Sequence, residues 1–449
     1  MSNYQLREAI VDILVRIEQD SGYSHLLIDH ELKSRKINPK DEGLLTEVVY
    51  GTMQRKITLD FYLEDFLNPK KKLEPWVRML LRMSVYQSVF LDKIPDHAII
   101  HEAVEIAKRK GHKGISSLVN GVLRSLQRQG VRDTSKITNT STKISIETSH
   151  PEWLVKRWLS MYGETITREM CEANLGRKPM SIRVQPLRGT RDETIKRLKE
   201  LGMDVIASDF SSQGIVIKEG NVLKTSLFSE GFVTVQDQSS MLVGEVMNLK
   251  PGLQVLDACS APGGKVTHIA EKMEDQGVIH AYDLHAKKAK LLNKKASELN
   301  LTIIDAKQAD ARDLHQMYEK ETFDRILVDA PCSGLGVIRG KPDIKYNKQE
   351  KDIERLADIQ LEIMESVAPL LKKDGQLIYS TCTVDKEENE GVVEAFLKKH
   401  TDYNVDYQLF DQLPSNVANS PGHTELGLQL FPQTFQTDGF FLTRLIKSK

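Results

Sequence analysis

Along residues 4–129, apolar side chains recur at helical spacing, opening with Leu6, Ile10, Ile13, Leu14 and Ile17. The same spacing predicts helices over 44–53, 59–66, 76–91, 97–110 and 116–128. Pro95-Asp96 reads as the turn and N-cap entering the helix that holds Glu102 and Ala103. Residues 131–149 turn polar and read as a linker. From His150 the pattern gives helical runs over 153–162 and 166–174, a strand over 181–184, a helix over 192–201 and a strand over 214–217. That order suggests a small α+β module. Beyond Val235, short β-branched runs (254–257, 278–283, 302–305, 323–329, 376–381) alternate with helical runs (265–273, 286–299, 350–371, 387–399). Such alternation predicts βαβ units and a mainly parallel, doubly wound sheet, with residues 439–446 as a closing strand. The expected division is 1–130 helical, 131–149 linker, 150–234 α+β module and 235–449 α/β domain.

Composition narrows the class. A net charge of −1 means that any nucleic-acid surface must come from local basic clusters. Three such clusters stand out: Lys108, Arg109, Lys110, Lys113, Arg124 and Arg128; Arg177, Lys178, Arg183, Arg188 and Arg191; and Arg339, Lys341, Lys345 and Lys348. Cys171, Cys259, Cys332 and Cys382 are too scattered for a disulfide framework or a zinc site, so no metal is expected and a reduced, cytoplasmic protein is. Charged residues through Met1–Asp20 argue against a signal peptide, and no run reaches membrane-spanning length.

The chemistry gathers at strand ends. Asp257-Ala258-Cys259-Ser260-Ala261-Pro262-Gly263-Gly264-Lys265 follows the first predicted strand of the α/β region, and its glycines let backbone approach a nucleotide-like ligand at a helix amino terminus. Asp283 ends the next strand and suits ribose hydroxyls, while Asp310 beyond the third could accept from an adenine amino group. The loop lacks Gly-x-Gly-x-x-Gly, which fits S-adenosylmethionine better than a dinucleotide. Cys332, in Asp329-Ala330-Pro331-Cys332-Ser333-Gly334, and Cys382, in Ser380-Thr381-Cys382-Thr383, each follow a strand and so share its carboxyl edge. A cysteine at a strand end is most often an inert buried thiol, and Cys171 and Cys259 are read so.

The loop and both thiol motifs resemble the three signatures of S-adenosylmethionine-dependent RNA (cytosine-C5) methyltransferases. The helical start is similar to the antitermination factor NusB, notably in Pro95-Asp96-His97-Ala98 and Leu118-Val119-Asn120-Gly121-Val122-Leu123-Arg124. The combination resembles the Sun, or Fmu, family of small-subunit ribosomal RNA methyltransferases over nearly the whole chain. The resemblance implies a multidomain fold: an all-α NusB-like domain, an α+β RNA-recognition module and a Rossmann-like catalytic domain. It implies transfer of a methyl group to C5 of a cytosine in 16S rRNA through a covalent bond from cysteine to C6. It assigns Cys382 as nucleophile, Cys332 to proton removal or enzyme release, and Asp329 to the cytosine edge. Cofactor contacts fall to Cys259, Ser260, Ala261, Pro262, Gly263, Gly264, Lys265, Asp283, Asp310 and Asp329. The residues alone do not choose between the two thiols, and Lys265 is a candidate to activate one. Val266, Gly340 and Tyr346 depart from the family pattern. The RNA target is expected in a single-stranded loop or bulge, because C5 chemistry needs an unstacked base. No membrane partner is expected, and nothing implies an oligomer rather than a monomer. Two rivals remain open: an RNA-binding assembly or antitermination factor with a vestigial catalytic domain, and the same chemistry on transfer RNA.

Overall fold

The computed structural model describes residues 3–20, 27–28, 30–31, 37–38 and 40–448. These form two compact units, one of residues 1–176 with 338–348, the other of residues 177–337 with 349–449.

The first unit is built from helices α1 (Asn3–Asp20), α2 (Glu42–Gln54), α3 (Lys56–Glu64), α4 (Pro75–Phe90), α5 (Asp96–Lys110) and α6 (Lys113–Gln129). Their apolar stripes meet in one core in which Ile10, Ile13, Leu45, Val49, Leu80, Ile106 and Val119 are sealed from solvent. Burial of such a stripe, more than propensity, is what holds a helix of this length. Pro75 opens α4 where a missing N–H costs nothing, and Gly130 ends α6 at φ 75°. Within 131–149, Asn139 caps α7 (Thr140–Thr148) by accepting from the Thr142 N–H at 3.0 Å, so part of the expected linker is helix. The two runs read over 153–174 are one element, α8 (Glu152–Ala173), broken at Gly163 with φ 75°. Residues 338–348 fold against these helices. Lys345 Nζ donates at 2.9 Å to Gln54 O, at the carboxyl end of α2, and the Tyr346 hydroxyl donates to the same oxygen at 3.2 Å.

In the second unit, β1 (Met180–Val184), α9 (Arg191–Glu200), β2 (Asp204–Ala207), β3 (Gly214–Glu219) and β4 (Val233–Val235) form the α+β module. Its antiparallel sheet runs β2-β3-β1-β4. The sequence pattern missed β2 and β4, which are short edge strands with little apolar alternation.

The α/β region continues with α10 (Gln238–Val246), β5 (Gln254–Asp257), α11 (Gly264–Lys272), β6 (Val278–Asp283), α12 (Ala286–Glu298), β7 (Ile304–Gln308) and β8 (Phe323–Asp329). It closes with α13 (Glu350–Val367), β9 (Leu371–Thr381), α14 (Glu390–Lys399), β10 (Tyr403–Val405), β11 (His423–Thr424), β12 (Gly427–Leu430) and β13 (Phe440–Lys447). The sheet order is β11-β12-β13-β9-β8-β5-β6-β7, with β10 on β13. β7, β6, β5, β8 and β9 are parallel, and β13 joins β9 antiparallel. Val255 packs into the core on one face of the sheet and Leu256 into the core on the other. Two covered faces explain the near-continuous apolar strands.

Two boundaries differ from the pattern for local reasons. The helix expected to run to residue 371 stops at Val367, because Pro369 lacks an N–H and disfavours a helical residue before it. The strand expected over 302–305 begins at Ile304, because the Asp275 carboxylate captures both the Thr302 N–H, at 2.8 Å, and its hydroxyl, at 2.8 Å.

Candidate active site

The chain reverses direction across the sheet at β5, with β6 on one side and β8 on the other. Open α/β sheets bind ligands at such a switch point, beyond the carboxyl ends of the strands. Asp283, Asp257 and Asp329 are the last residues of β6, β5 and β8, so three adjacent strands deliver three carboxylates to one edge. Asp310 lies just beyond β7.

The 257–265 loop is wound tightly. Ser260 N–H donates to Tyr282 O at 2.7 Å, Ser260 Oγ to Asp257 O at 2.9 Å, and Gly263 N–H to Ser260 O at 2.8 Å. Gly263 sits at φ 100° before α11, a conformation that strains any residue bearing a Cβ. Asp257 is sealed from solvent, and its Oδ2 has no partner. Burial first, then the neighbouring Asp329 charge, pushes its carboxyl up to about 7. The Cys259 thiol is held far above its ordinary value by burial and then by Asp257, Asp329, Asp283 and Asp310. The three carboxylates predicted for the site, Asp283, Asp310 and Asp329, thus converge on this loop together with Asp257. Asp283 Oδ1 accepts from the His285 N–H at 2.8 Å, and Arg312 clasps Asp310 at 2.6 and 3.0 Å. An amino group arriving at Asp310 therefore competes with a guanidinium.

Lys265 reaches from the first turn of α11 to Asp329, Nζ to Oδ2 2.7 Å, while Ser380 Oγ donates to Asp329 Oδ1 at 2.9 Å. Asp329 and Ser380 are register partners across β8 and β9. Burial pulls the Lys265 ammonium down, but Asp329, and after it Cys382, more than offset this and leave its pKa raised. Lys265 is therefore a cation in the field of the Cys382 sulfur, as a thiolate requires.

Cys332 and Cys382 come together, Sγ to Sγ 3.3 Å, as half-buried thiols outside any disulfide. The hydrogen bond to Cys382, then burial, raises the Cys332 thiol well above its ordinary value. Gly336 N–H donates to Cys382 O at 3.0 Å and Gly439 N–H to Gly336 O at 2.8 Å. A Cβ on Gly336 would lie 2.0 Å from Gly439 O and 2.8 Å from Cys382 O, so only glycine lets the loops close.

Sequence reasoning did not single out Ser333, Gln360 and Glu388, which sit beneath the thiols. Glu388 is sealed; its Oε1 accepts from Ser333 N at 2.7 Å and Gln360 Nε2 at 3.0 Å, and its Oε2 accepts from Ser333 Oγ at 2.5 Å. The available signal is a carboxylate pair, Glu387-Glu388, directly after a strand-end thiol loop; the pair falls in the run expected as helix over 387–399, but α14 starts only at Glu390.

The basic clusters fare differently. Arg183 is buried on Glu271, with Nε and Nη2 at 2.7 and 2.8 Å, and also bonds Gly264 O, Thr267 and Gln236. Lys178 pairs with Asp237 at 2.6 Å and Asp438 at 2.5 Å. Lys345 and Arg339 are buried within the first unit. Folding thus removes Arg183, Lys345 and Arg339 from any phosphate. Lys113, Arg124, Arg128, Arg177 and Lys341 remain exposed. Cys171 is sealed, with its thiol pushed up to about 12 by burial. Val266 lies in the core with Ile269 and Ala270, so that departure from the family pattern changes packing. Among the described residues, no group of three or more His, Cys, Asp and Glu could hold a metal ion, and no helix is long and apolar enough to cross a membrane.

Comparison with known proteins agrees with this architecture. Residues 245–446 match the 16S rRNA methyltransferase RsmB/F family model, residues 4–128 the NusB family, and residues 150–223 the ferredoxin-like domain of RsmF/B-like methyltransferases. The "Probable ribosomal RNA small subunit methyltransferase B" of Bacillus subtilis (strain 168) is 46% identical over 447 residues, covering 100% of both chains. Its Synechocystis counterpart is 34% identical, covering 97% of this chain and 98% of its own. Among solved structures, the crystal structure of PH0851 superposes with TM-score 0.82 at 27% identity, covering 98% of each chain. A methyltransferase homolog from Pyrococcus horikoshii gives TM-score 0.60 at 25% identity over 69% of this chain and 100% of its own. With a full-length relative this similar, and a helical unit, an α+β module and a thiol-bearing sheet edge in the matching order, the chain belongs to the ribosomal RNA small subunit methyltransferase B family.

Proposed function

We propose that this protein methylates C5 of a cytosine in 16S rRNA, with S-adenosylmethionine as methyl donor, Cys382 as nucleophile, and Cys332 and Asp329 assisting. The observation that carries the reading is the pair of thiols 3.3 Å apart, one of them in the field of Lys265, beside a carboxylate-lined loop. The loop suits a cationic nucleoside: Asp257 Oδ2 is buried without a partner, and Gly263 holds the loop at a φ of 100° that a residue with a Cβ adopts only under strain. Cys259, Ser260, Ala261, Pro262, Gly263, Gly264 and Lys265 would line it, with Asp283 at the ribose, Asp310 at the base and Asp329 towards the reacting centre. When bound, S-adenosylmethionine supplies the electrophilic methyl group.

The protein's own groups account for the remainder. Cytosine C5 is a weak nucleophile because the ring is electron-poor. The Cys382 thiolate forms a bond to C6, and the C5–C6 π pair is pushed into the ring, where Asp329 holds the base edge. The enamine-like C5 then accepts the methyl group. Removal of the C5 proton, with Cys332 assisting, returns the electron pair as the C6–S bond breaks and aromaticity is restored. This is covalent catalysis, dividing one hard step into easier ones.

The same reading assigns residues 1–130 as a NusB-like RNA-binding domain, 131–149 as a connection that carries α7, 150–234 as an RNA-recognition module and 235–449 as the catalytic domain. It has the protein act as a monomer in the cytoplasm, on an unstacked cytosine in a loop or bulge. Tritiated-methyl transfer to protein-free 16S rRNA tests it directly. Label is expected in 5-methylcytosine at one position; binding of cofactor with no incorporation into either 16S rRNA or transfer RNA would instead favour an assembly factor with a vestigial site.

A further inference from the structure

Beneath the two sulfurs lies a closed set of hydrogen bonds that the reaction scheme does not use. Ser333 follows Cys332, and both its N–H and its hydroxyl donate to Glu388. Pro331 precedes Cys332, and its carbonyl accepts from Gln360 Nε2 at 2.9 Å; the same amide also donates to Glu388 Oε1. The residues on either side of Cys332 are therefore held by one carboxylate and one amide. The other thiol is tied to the same group: Ser333 Oγ and Thr383 Oγ1, next to Cys382, lie 2.8 Å apart. Tyr379 in β9 completes the set, its single hydroxyl proton facing two acceptors, Glu388 O at 2.5 Å and Gln360 Oε1 at 3.1 Å. Glu388, Gln360, Ser333 and Thr383 are all buried, so water does not substitute for a lost bond.

We propose that Glu388 is a positioning residue that fixes the Cys332 loop against the Cys382 loop, and that its loss uncouples product release from methyl transfer. This rests on the two-thiol reading above and deepens it. Three donors converge on the two carboxylate oxygens, and an amide in place of the carboxylate would turn an NH2 group towards at least one of them. The Cys332 backbone is held on both flanks by Glu388 and Gln360, whereas Cys382 is additionally fixed through its own carbonyl to Gly336. Weakening the set therefore displaces Cys332 first. Catalytic groups moved by about 1 Å lose on the order of 100-fold in rate. The step that depends on Cys332, removal of the C5 proton with breakage of the C6–S bond, slows while attack by Cys382 continues.

The experiment is a single-turnover reaction of full-length protein with labelled cofactor and a 16S rRNA fragment, read as released product and as protein–RNA adduct on a denaturing gel. Glu388→Gln is expected to form adduct at close to the wild-type rate but to release it at least about tenfold more slowly. Ser333→Ala, which removes only the hydroxyl links, should shift the same partition in the same direction by less. Turnover and adduct level both unchanged in Glu388→Gln would overturn the proposal. So would a parallel loss of adduct and methyl transfer, or a variant whose only change is a lower melting temperature. If Glu388→Gln does not fold, Ser333→Ala decides: a raised adduct fraction upholds the proposal and a wild-type partition defeats it. Cys332→Ala separates the two levels of the argument. If it accumulates no adduct, the covalent scheme fails; if it does and Glu388→Gln behaves as wild type, only the role of Glu388 fails.

Discussion

The two ends of helix α11 bury charge by opposite rules. At its start, Lys265 meets Asp329 beside an Asp257 whose Oδ2 has no partner, and a carboxyl displaced to about 7 results. Further along, Thr267 and Glu271 receive Arg183, whose guanidinium also finds Gly264 O and Gln236, and Glu271 takes a further bond from Gln213 at 2.9 Å. Compensation is close to complete at one end and deliberately short at the other. A buried charge with all its bonds made is architecture; a buried charge left short is poised for a ligand or a reaction. The same helix does both because its first turn faces the strand ends and its later turns face the α+β module.

Substituting at the two ends should therefore give different losses. The largest effect belongs to the reactive end. Cys382→Ala should abolish methyl transfer and give no denaturation-resistant RNA adduct, with a melting temperature near wild type. A retained adduct would reverse the roles of the thiols. At the structural end, Glu271→Ala should cost about 3–5 kcal/mol, since it strands a fully buried guanidinium. Urea unfolding measures this, and a loss under about 1 kcal/mol would show that Arg183 finds water instead. Asp257 sharpens the comparison through pH. Its folded pKa lies above the unfolded value, so between about pH 4 and 7 the folded state holds a proton that the unfolded chain has released. Stability in the absence of ligand should therefore fall as pH rises through that window, by at most about 1.4 kcal/mol per pH unit. The penalty is fully present above pH 7 and absent below pH 4. Asp257→Asn should flatten that slope, and a slope unaltered by the change would assign it elsewhere. The smallest effect is expected far from both ends, at the exposed Arg124 and Arg128 on α6. Replacing each with Gln should lower the salt dependence of RNA binding by about one unit of log–log slope and leave kcat alone. An unchanged slope would remove α6 from the RNA surface.

Much of the site was legible before folding because strand ends are local. A β-branched run followed by Asp, Pro and Cys places its thiol at a sheet edge whatever surrounds it, and Cys332, Cys382, Asp257, Asp283 and Asp329 all lie where that logic put them. Basic residues carry no such local rule. Arg183 reads as one of five cations near a short strand, yet the register of β1 turns it inwards onto α11. Lys345 reads as one of four after a thiol motif, yet it is sealed against the end of α2, and burial lowers its ammonium to about 7.

The alternation of strand and helix, the glycine loop and the order of acids and thiols were fixed by the one-dimensional pattern, because each depends on backbone preferences within a few residues. The 3.3 Å approach of the two sulfurs, the inward turn of Glu388 and the division of cations between surface and interior were decided only by tertiary packing. Those depend on which elements meet across tens to hundreds of positions of chain, and on whether a buried charge finds a partner there.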